Sequence, residues 1–288
     1  MNVIRTTSEA NRWTKAVRAT TDRIGFVPTM GALHEGHLQL VRCARKKADV
    51  VAVSIFVNPT QFGPNEDFDR YPRVLDADLE LLDREGVSIV FAPSVAEMYP
   101  DGFQTMVEPG AMAQVLDGAA RPGHFRGVAT VCAKLFSILN PDFAVMGQKD
   151  YQQFLIVRQM AEDLNLPVQI LAHPIVREPD GLAMSSRNRY LNARERAQAV
   201  VLRRSLDAAG RAIASGEADP DAISAEARKV FNNCPDFLHE YFVAVDPDTL
   251  AKPREDWNRI VCLVAGRMGS TRLIDNALFS RSGEEETL

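Results

Sequence analysis

Long apolar runs are missing from this 288-residue chain. The best stretch is Val50–Val57, of strand length, whereas a membrane-spanning helix needs roughly 18 or more apolar residues. Cysteine is scarce. Cys43, Cys132, Cys234 and Cys262 lie far apart without a CxxC pair, which excludes a zinc site or redox motif by spacing. Three of them fall in apolar stretches and are expected to be reduced core thiols. With 17 glycines and 16 prolines the chain is neither collagenous nor of low complexity, and it contains no internal repeat. The first fifteen residues hold no apolar signal-peptide core, so a cytoplasmic protein is expected. There is no large basic excess either: 33 basic against 38 acidic residues give a net charge of −5, which argues against coating nucleic acid or an anionic membrane.

What is present is an ordinary globular composition, 46% hydrophobic and 25% charged, long enough for about two domains. Ser8 is expected to cap a first helix reaching about Thr20, and Ile24–Pro28 reads as a short buried strand. Residues 36–48 place Leu40, Val41 and Ala44 on one helical face, and 49–57 form a nearly continuous apolar strand. Helical patterns at Leu75–Glu85, Gly127–Leu139 and Tyr151–Asn165 then alternate with strand-like Val87–Phe91, Phe143–Gly147 and Val168–Val176. Strands without polar alternation, joined by helices, predict an α/β fold with a parallel sheet covered on both faces. Past a turn-rich stretch at 177–188 the pattern changes. A charged helix over Ala193–Ser215 and a short one over Asp221–Phe231 precede three closely spaced strands near Glu240–Val245, Arg259–Ala265 and Thr271–Asp275. Short connections predict a small antiparallel sheet. These patterns divide the chain into domains 1–176 and 177–288, with Gly283–Leu288 expected to fray.

The sharpest motif is PTMGALHEGHL at 28–38, at the carboxyl end of the first buried strand and running into a helix. Open α/β sheets bind ligands at such places. Gly31-x4-Gly36 has phosphate-loop spacing, but His37 and Leu38 stand where Lys and Ser or Thr would be needed. Imidazoles and helix-end amides are therefore the donors on offer. His34 and His37, three apart, share a face at a helix start that already favours anions. Two readings compete, ordinary surface or core histidines and half of a metal site; no further ligand lies at a helpful spacing, and the glycine-flanked strand-to-helix setting favours phosphate binding.

Three more segments are candidates. Gly147-Gln148-Lys149-Asp150-Tyr151-Gln152-Gln153 again joins strand to helix, with Lys149 as a charge for a phosphoryl group and Gln152 and Gln153 as amides for a polar substrate; Asp150 is suited to a helix cap. Met184-Ser185-Ser186-Arg187-Asn188 is either an anion clamp or a turn plus a helix cap. Asn58-Pro59-Thr60-Gln61-Phe62 ends the second strand and offers Gln61 to orient a small substrate. Weaker still, 121–127 is a mobile flap or a helix-entry loop, Asp67, Asp69, Asp76 and Asp78 either touch a metal or, as is preferred, form a solvated face, and 284–286 is a tail.

PTMGALHEGH, NPTQFG, YPDG, RPGHFRGV, GQKDYQQ, DGLAMSSRN and TRLIDN, in that order from about Ile24 to Asn276, resemble the pantoate–β-alanine ligases of the HxGH nucleotidyltransferase superfamily. The resemblance implies a Rossmann-like, doubly wound parallel sheet with a smaller α+β C-terminal lid domain, usually a homodimer. It implies ATP, with Mg²⁺, and the substrates (R)-pantoate and β-alanine, which are condensed to pantothenate through a pantoyl adenylate. By the same resemblance His34, His37, Lys149, Ser185 and Arg187 are catalytic. Met30, Gly31, Ala32, Leu33, His34, Glu35, Gly36 and His37 line the nucleotide site. Gly147, Gln148, Lys149, Asp150, Val176, Met184, Ser185, Ser186 and Arg187 add nucleotide contacts, and Gln61 and Gln153 bind pantoate.

The departures are modest. Ala77 interrupts an acidic run at 76–78, so no protein ligand is assigned to Mg²⁺; Gln148 stands where Glu would be equally acceptable, so its side chain is not expected to matter. The alternative is another HxGH nucleotidyltransferase that adenylylates a different small acid or a cofactor precursor. No nucleic-acid or membrane partner is expected.

Overall fold

In the computed structural model, residues 1–20, 23–64 and 66–288 are described. They form two compact units. The first comprises Met1–Gly147 and Gln152–His173, the second Gln148–Tyr151 and Pro174–Leu288.

The first unit is built on a six-stranded sheet. Its strands are β1 (Asn2–Ile4), β2 (Ile24–Thr29), β3 (Val50–Ile55), β4 (Ile89–Phe91), β5 (Phe143–Gly147) and β6 (Gln169–His173). The spatial order is β1-β4-β3-β2-β5-β6, and each pair is parallel. Val27, Val51, Val53, Val90, Phe143 and Val145 are buried in one cluster, as sheets covered on both faces require. The chain steps outward from β2 through β3 to β4, then resumes at β5 on the other side of β2. That reversal places the switch point between β2 and β5, whose carboxyl ends are Thr29 and Gly147.

Helices α1 (Thr7–Arg18), α2 (Glu35–Arg45), α3 (Leu75–Arg84), α4 (Val95–Met98), α5 (Asp117–Ala120), α6 (His124–Leu139) and α7 (Tyr151–Asp163) complete the alternation. Two of their starts differ from expectation. Thr6, not Ser8, caps α1, because only from Thr6 does Glu9 fall at the third position and complete a reciprocal capping box. Helix α6 begins at His124 rather than Gly127, entered through Gly123 in the left-handed region at φ 83°. Strand β1 was not expected from the sequence.

The second unit carries an antiparallel sheet in the order β10-β9-β8-β7, from β7 (Phe237–Val245), β8 (Arg259–Met268), β9 (Thr271–Ser280) and β10 (Glu285–Glu286). Helices α8 (Ala193–Gln198), α9 (Val201–Ala214) and α10 (Pro220–Arg228) accompany it. The expected helix over 193–215 is broken at the buried, β-branched pair Val200 and Val201, where Leu202 bonds back only to Ala199. Leu202, Leu206, Ala209 and Ile213 recur at helical spacing on α9 and share a core with Phe242, Cys262, Val264 and Ala277 of the sheet. The tail is not frayed: β10 pairs with β9, and its Glu285 and Glu286 meet Arg203 and Arg259 at 2.6 and 2.7 Å.

All four cysteines are free, and Cys132, Cys234 and Cys262 are buried. Burial pushes the Cys132 thiol up to about 12, which keeps it protonated and inert. No helix among the described residues is long and apolar enough to cross a membrane.

Candidate active site

The loop between β2 and α2 turns sharply. Gly31 and Ala32 both adopt left-handed φ values, 79° and 50°. For alanine this conformation is strained, and the compensation is visible: the Asp78 carboxylate on α3 accepts the N–H of Ala32 and the N–H of Leu33, each at 2.8 Å. Asp78 is thus buried, not on a solvated face as the acidic stretch suggested, because its partners are loop amides rather than water.

The two histidines follow. His34 is the N-cap of α2, in extended conformation, and its Nδ1 accepts the Gly36 N–H at 3.2 Å. His37 returns the bond, its Nδ1 accepting the His34 N–H at 3.3 Å. The rings lie 4.1 Å apart, centroid to centroid. Since Nδ1 is an acceptor in both, each neutral ring carries its proton on Nε2. Two imidazole donors are therefore held side by side at the positive end of α2. Glu35 is occupied on the helix itself, by Gln39 at 2.7 Å and by Arg42.

At the end of β3 the expected loop is a 3-10 turn over Pro59–Gln61, capped by Asn58. Asn58 is buried and fully engaged. Its Oδ1 accepts from Thr60 Oγ1 and Tyr99 Oη, at 2.9 and 2.8 Å, and its Nδ2 donates to Gln61 Oε1 and the Gly127 carbonyl, at 3.0 and 3.1 Å. These bonds orient the Gln61 amide, whose Nε2 lies 3.1 Å from Met30 Sδ. A Cβ on Gly127 would sit 2.3 Å from the Thr60 carbonyl oxygen, so α6 can approach this turn only with glycine there.

The 121–127 segment is a helix-entry loop whose side chains brace the same turn. Arg121 pairs with Glu66 through two 2.7 Å bonds and donates to His124 Nε2 at 2.8 Å; His124 Nδ1–H then donates to the Gln61 carbonyl at 2.8 Å. Burial, reinforced by the Arg121 charge, pushes the His124 imidazole down to about 4. Burial also pushes the Glu66 carboxyl up, but the Arg121 guanidinium outweighs it and holds the group down to about 2. The sequence drew attention to the segments that hold Asn58, Asp78, Arg121 and His124, but not to the bracing roles of these residues or of Tyr99. Their partners are mostly backbone groups or residues tens of positions away, which motif spacing does not register.

On α7 the neighbouring glutamines part company. Gln152 is buried and fully used, accepting from Asp117 N–H at 3.0 Å and donating to the Met112 and Val115 carbonyls at 2.8 Å, so its amide serves structure rather than a substrate. Gln153 is half-buried.

In the second unit, Gln148, Lys149 and Asp150 form a 3-10 turn. Gln148 is buried and its Nε2 donates to Asn276 Oδ1 at 3.3 Å, so the side chain is structurally engaged, contrary to expectation. Residues 176–184 fold back as a short hairpin, with Met184 N–H donating to the Val176 carbonyl and Arg177 bridging Ala183. Ser185 then caps a 3-10 turn over Ser186–Tyr190, accepting the Arg187 N–H at 3.3 Å. The structure thus gathers the candidates in each unit separately: Met30–His37 and Gln61 in the first, where Gln153 also lies, and Lys149 with Val176 and Met184–Arg187 in the second. Among the described residues no three His, Cys, Asp or Glu side chains come together to hold a metal ion.

The comparisons with known proteins agree with one another. The pantoate-beta-alanine ligase family profile matches residues 2–278. The chain is 54% identical to a pantothenate synthetase of Roseiflexus sp. over 278 residues, covering 96% of this chain and 99% of that protein. It is 52% identical to a pantothenate synthetase of Thermoanaerobacter sp. over 275 residues, covering 96% and 97%. Among solved structures, pantothenate synthetase from Thermus thermophilus superposes with a TM-score of 0.89 at 46% identity, covering 96% of this chain and 98% of that one. Pantoate-beta-alanine ligase from Francisella tularensis, complexed with beta-gamma ATP and beta-alanine, superposes with a TM-score of 0.76 at 33% identity, covering 98% of each chain. A match that runs through both sheets and every motif from the histidine pair to the last long strand places the chain in the pantoate-β-alanine ligase family.

Proposed function

We propose that this ligase condenses (R)-pantoate with β-alanine to pantothenate, using ATP and passing through a bound pantoyl adenylate. In the first step a pantoate carboxylate oxygen attacks the α-phosphorus and the bond to pyrophosphate breaks. The carboxylate is already ionised at pH 7, so the protein's task is alignment and charge stabilisation. In the second step the neutral amine of β-alanine attacks the acyl carbon, and AMP leaves with the electrons of the acyl–oxygen bond.

The observation that carries this reading is the mutual capping of His34 and His37, which directs two Nε2–H donors from the start of α2. In this reading they donate to phosphate oxygens, while Lys149, Ser185 and Arg187 offset the charge that develops during transfer. Residues Met30–His37, Gly147–Asp150, Val176 and Met184–Arg187 contact the nucleotide, and Gln61 and Gln153 hold pantoate. The bonds that Asn58 and His124 make to Gln61 support its role as a fixed, uncharged recognition group. The Francisella relative, complexed with beta-gamma ATP and beta-alanine, supports both as ligands here. Among the described residues there is no cluster of metal-binding side chains, and Asp78 is committed to loop amides; Mg²⁺ therefore fits as an ion held largely by the nucleotide's phosphates. Residues 1–176 bind nucleotide and pantoate, 177–288 act as a lid that keeps water from the acyl adenylate, and the enzyme works in the cytoplasm as a homodimer.

The test is pyrophosphate release from ATP and pantoate, with and without β-alanine, with products identified by mass. Expected are pyrophosphate and a bound pantoyl adenylate without β-alanine, and pantothenate with AMP once it is added. Pyrophosphate release that ignores pantoate, or a dinucleotide product, would overturn the substrate assignment.

A further inference from the structure

One buried side chain in the second unit grips the Lys149 turn. Asn276, on β9, is 1% exposed. Its Nδ2 donates to two consecutive carbonyls of the turn, those of Gln148 and Lys149, each at 3.0 Å, and its Oδ1 accepts from Gln148 Nε2. Each polar atom of the Asn276 amide is therefore engaged with this turn. The far end of the segment is tied as well, Tyr151 Oη donating to the Pro247 carbonyl at 2.9 Å. These bonds explain why Gln148–Tyr151, although flanked in sequence by the first unit on both sides, belongs to the second.

The backbone at Asn276 is itself fixed. Its N–H donates to Asp275 Oδ1 at 2.8 Å, and Arg177 holds Asp275 through bonds of 2.7 and 3.1 Å. Arg177 also donates to the Asn276 carbonyl at 3.3 Å and to the Gly181 carbonyl at 3.0 Å, within the hairpin that leads to Met184–Arg187. One point on β9 thus fixes both cationic segments of this unit, the Lys149 turn directly and the Arg187 loop through Arg177.

We propose that Asn276 is a positioning residue for Lys149, setting the direction of its ammonium group through the carbonyls of Gln148 and Lys149 while touching no substrate itself. This rests on the adenylation role proposed for Lys149. A side-chain amide suits the task because it presents two N–H donors in a plane, one for each carbonyl, and a single acceptor to keep that plane from rotating. Removing it leaves two carbonyls without their donor and the turn free to swing.

The test is a double-mutant cycle on pyrophosphate release in a single turnover, with Asn276→Ala, Lys149→Ala and the pair, at saturating ATP and pantoate. Asn276→Ala is expected to slow release roughly 10–100-fold, as a misplacement of about 1 Å does, with KM for ATP and pantoate changed less than about twofold. In the Lys149→Ala background the same substitution should have less than about a twofold effect, because the group it positions is gone. A purely structural role predicts instead that the two losses multiply, and that result, or native release by Asn276→Ala, overturns the proposal. If Asn276→Ala does not fold, Asn276→Ser carries the test: its single hydroxyl donor should give an intermediate loss that also vanishes in the Lys149→Ala background. Native release by Lys149→Ala alone would overturn the role of Lys149, and this proposal with it. A slow Lys149→Ala with multiplying losses would overturn only the positioning role.

Discussion

Asp78 and Ala32 are joined by a 2.8 Å hydrogen bond in which a buried carboxylate receives an amide held at positive φ. The Asp78 carboxylate receives the Leu33 N–H too, so it shapes the approach to His34 from a different helix. Asp78→Asn keeps the size of the side chain but turns one of the two acceptors into a donor facing an N–H. We expect a loss of about 2–3 kcal/mol in stability and a fall in pyrophosphate release, because the histidine pair loses its fixed approach. Urea midpoints and single-turnover rates of the variant check both.

Removing one of the paired imidazoles separates their chemical role from their capping role. His37→Ala should cost about 1 kcal/mol of stability, as the loss of a capping partner does. Its effect on adenylate formation should be far larger, roughly 10²–10³-fold, as for the removal of one preorganised donor. Lys149→Ala should likewise lose adenylate formation while staying folded. Circular dichroism and single-turnover pyrophosphate release, run together, test this; near-native turnover in either variant would remove that residue from the site.

His124 gives stability a sign with pH. Its imidazole sits at about 4 when folded, against 6.5 when unfolded. Below 6.5 the unfolded chain takes up a proton that the folded chain refuses, so stability is fully present above 6.5 and falls until about pH 4. The loss integrates to about 3 kcal/mol. Glu66, held down to about 2 from 4.5, adds a separate loss only below about 4.5. Unfolding free energies at pH 7 and pH 5 should therefore differ less in His124→Asn than in the native protein. An equal pH dependence in both would assign that window to other groups.

Gln152 and Gln153 are adjacent yet should fail differently. Gln152→Leu abandons two carbonyls and one N–H around residues 112–117, and should destabilise by about 2–4 kcal/mol with little change in KM for pantoate. Gln153→Ala should raise the KM for pantoate while leaving the unfolding midpoint nearly unchanged. Isothermal denaturation and pantoate titrations of the two variants distinguish them.

Much of this was legible in the sequence because it is local. The glycine-flanked run from Thr29 to His37 announces a strand, a tight turn and a helix start within a few residues, and nearly unbroken apolar strands such as Val50–Ile55 announce a parallel sheet. What was not legible lies in long-range pairing. Asp78 reaches loop amides 46 and 45 residues away, and His124 reaches a carbonyl 63 residues away. Periodicity cannot tell a solvated carboxylate from one that is engaged by a distant backbone. Strand β1, three residues long, is too short to show a pattern and exists because the β4 edge is there to pair it. The separate fates of Gln152 and Gln153 depend on which way α7 faces, a matter of packing.

The bond from Asn276 to the Lys149 carbonyl spans 127 residues, and synthesis must honour that interval. As the chain leaves the ribosome, the parallel sheet can gather through β5 and β6 while the Lys149 turn has nothing to hold it. Its fastening arrives only with the last long strand, on the order of ten seconds later at ordinary elongation rates. A truncated product that stops before β9 lacks Asn276, and with it the donor to the Gln148 and Lys149 carbonyls. On the role proposed for Lys149, a chain ended there is expected to release no pyrophosphate from ATP and pantoate.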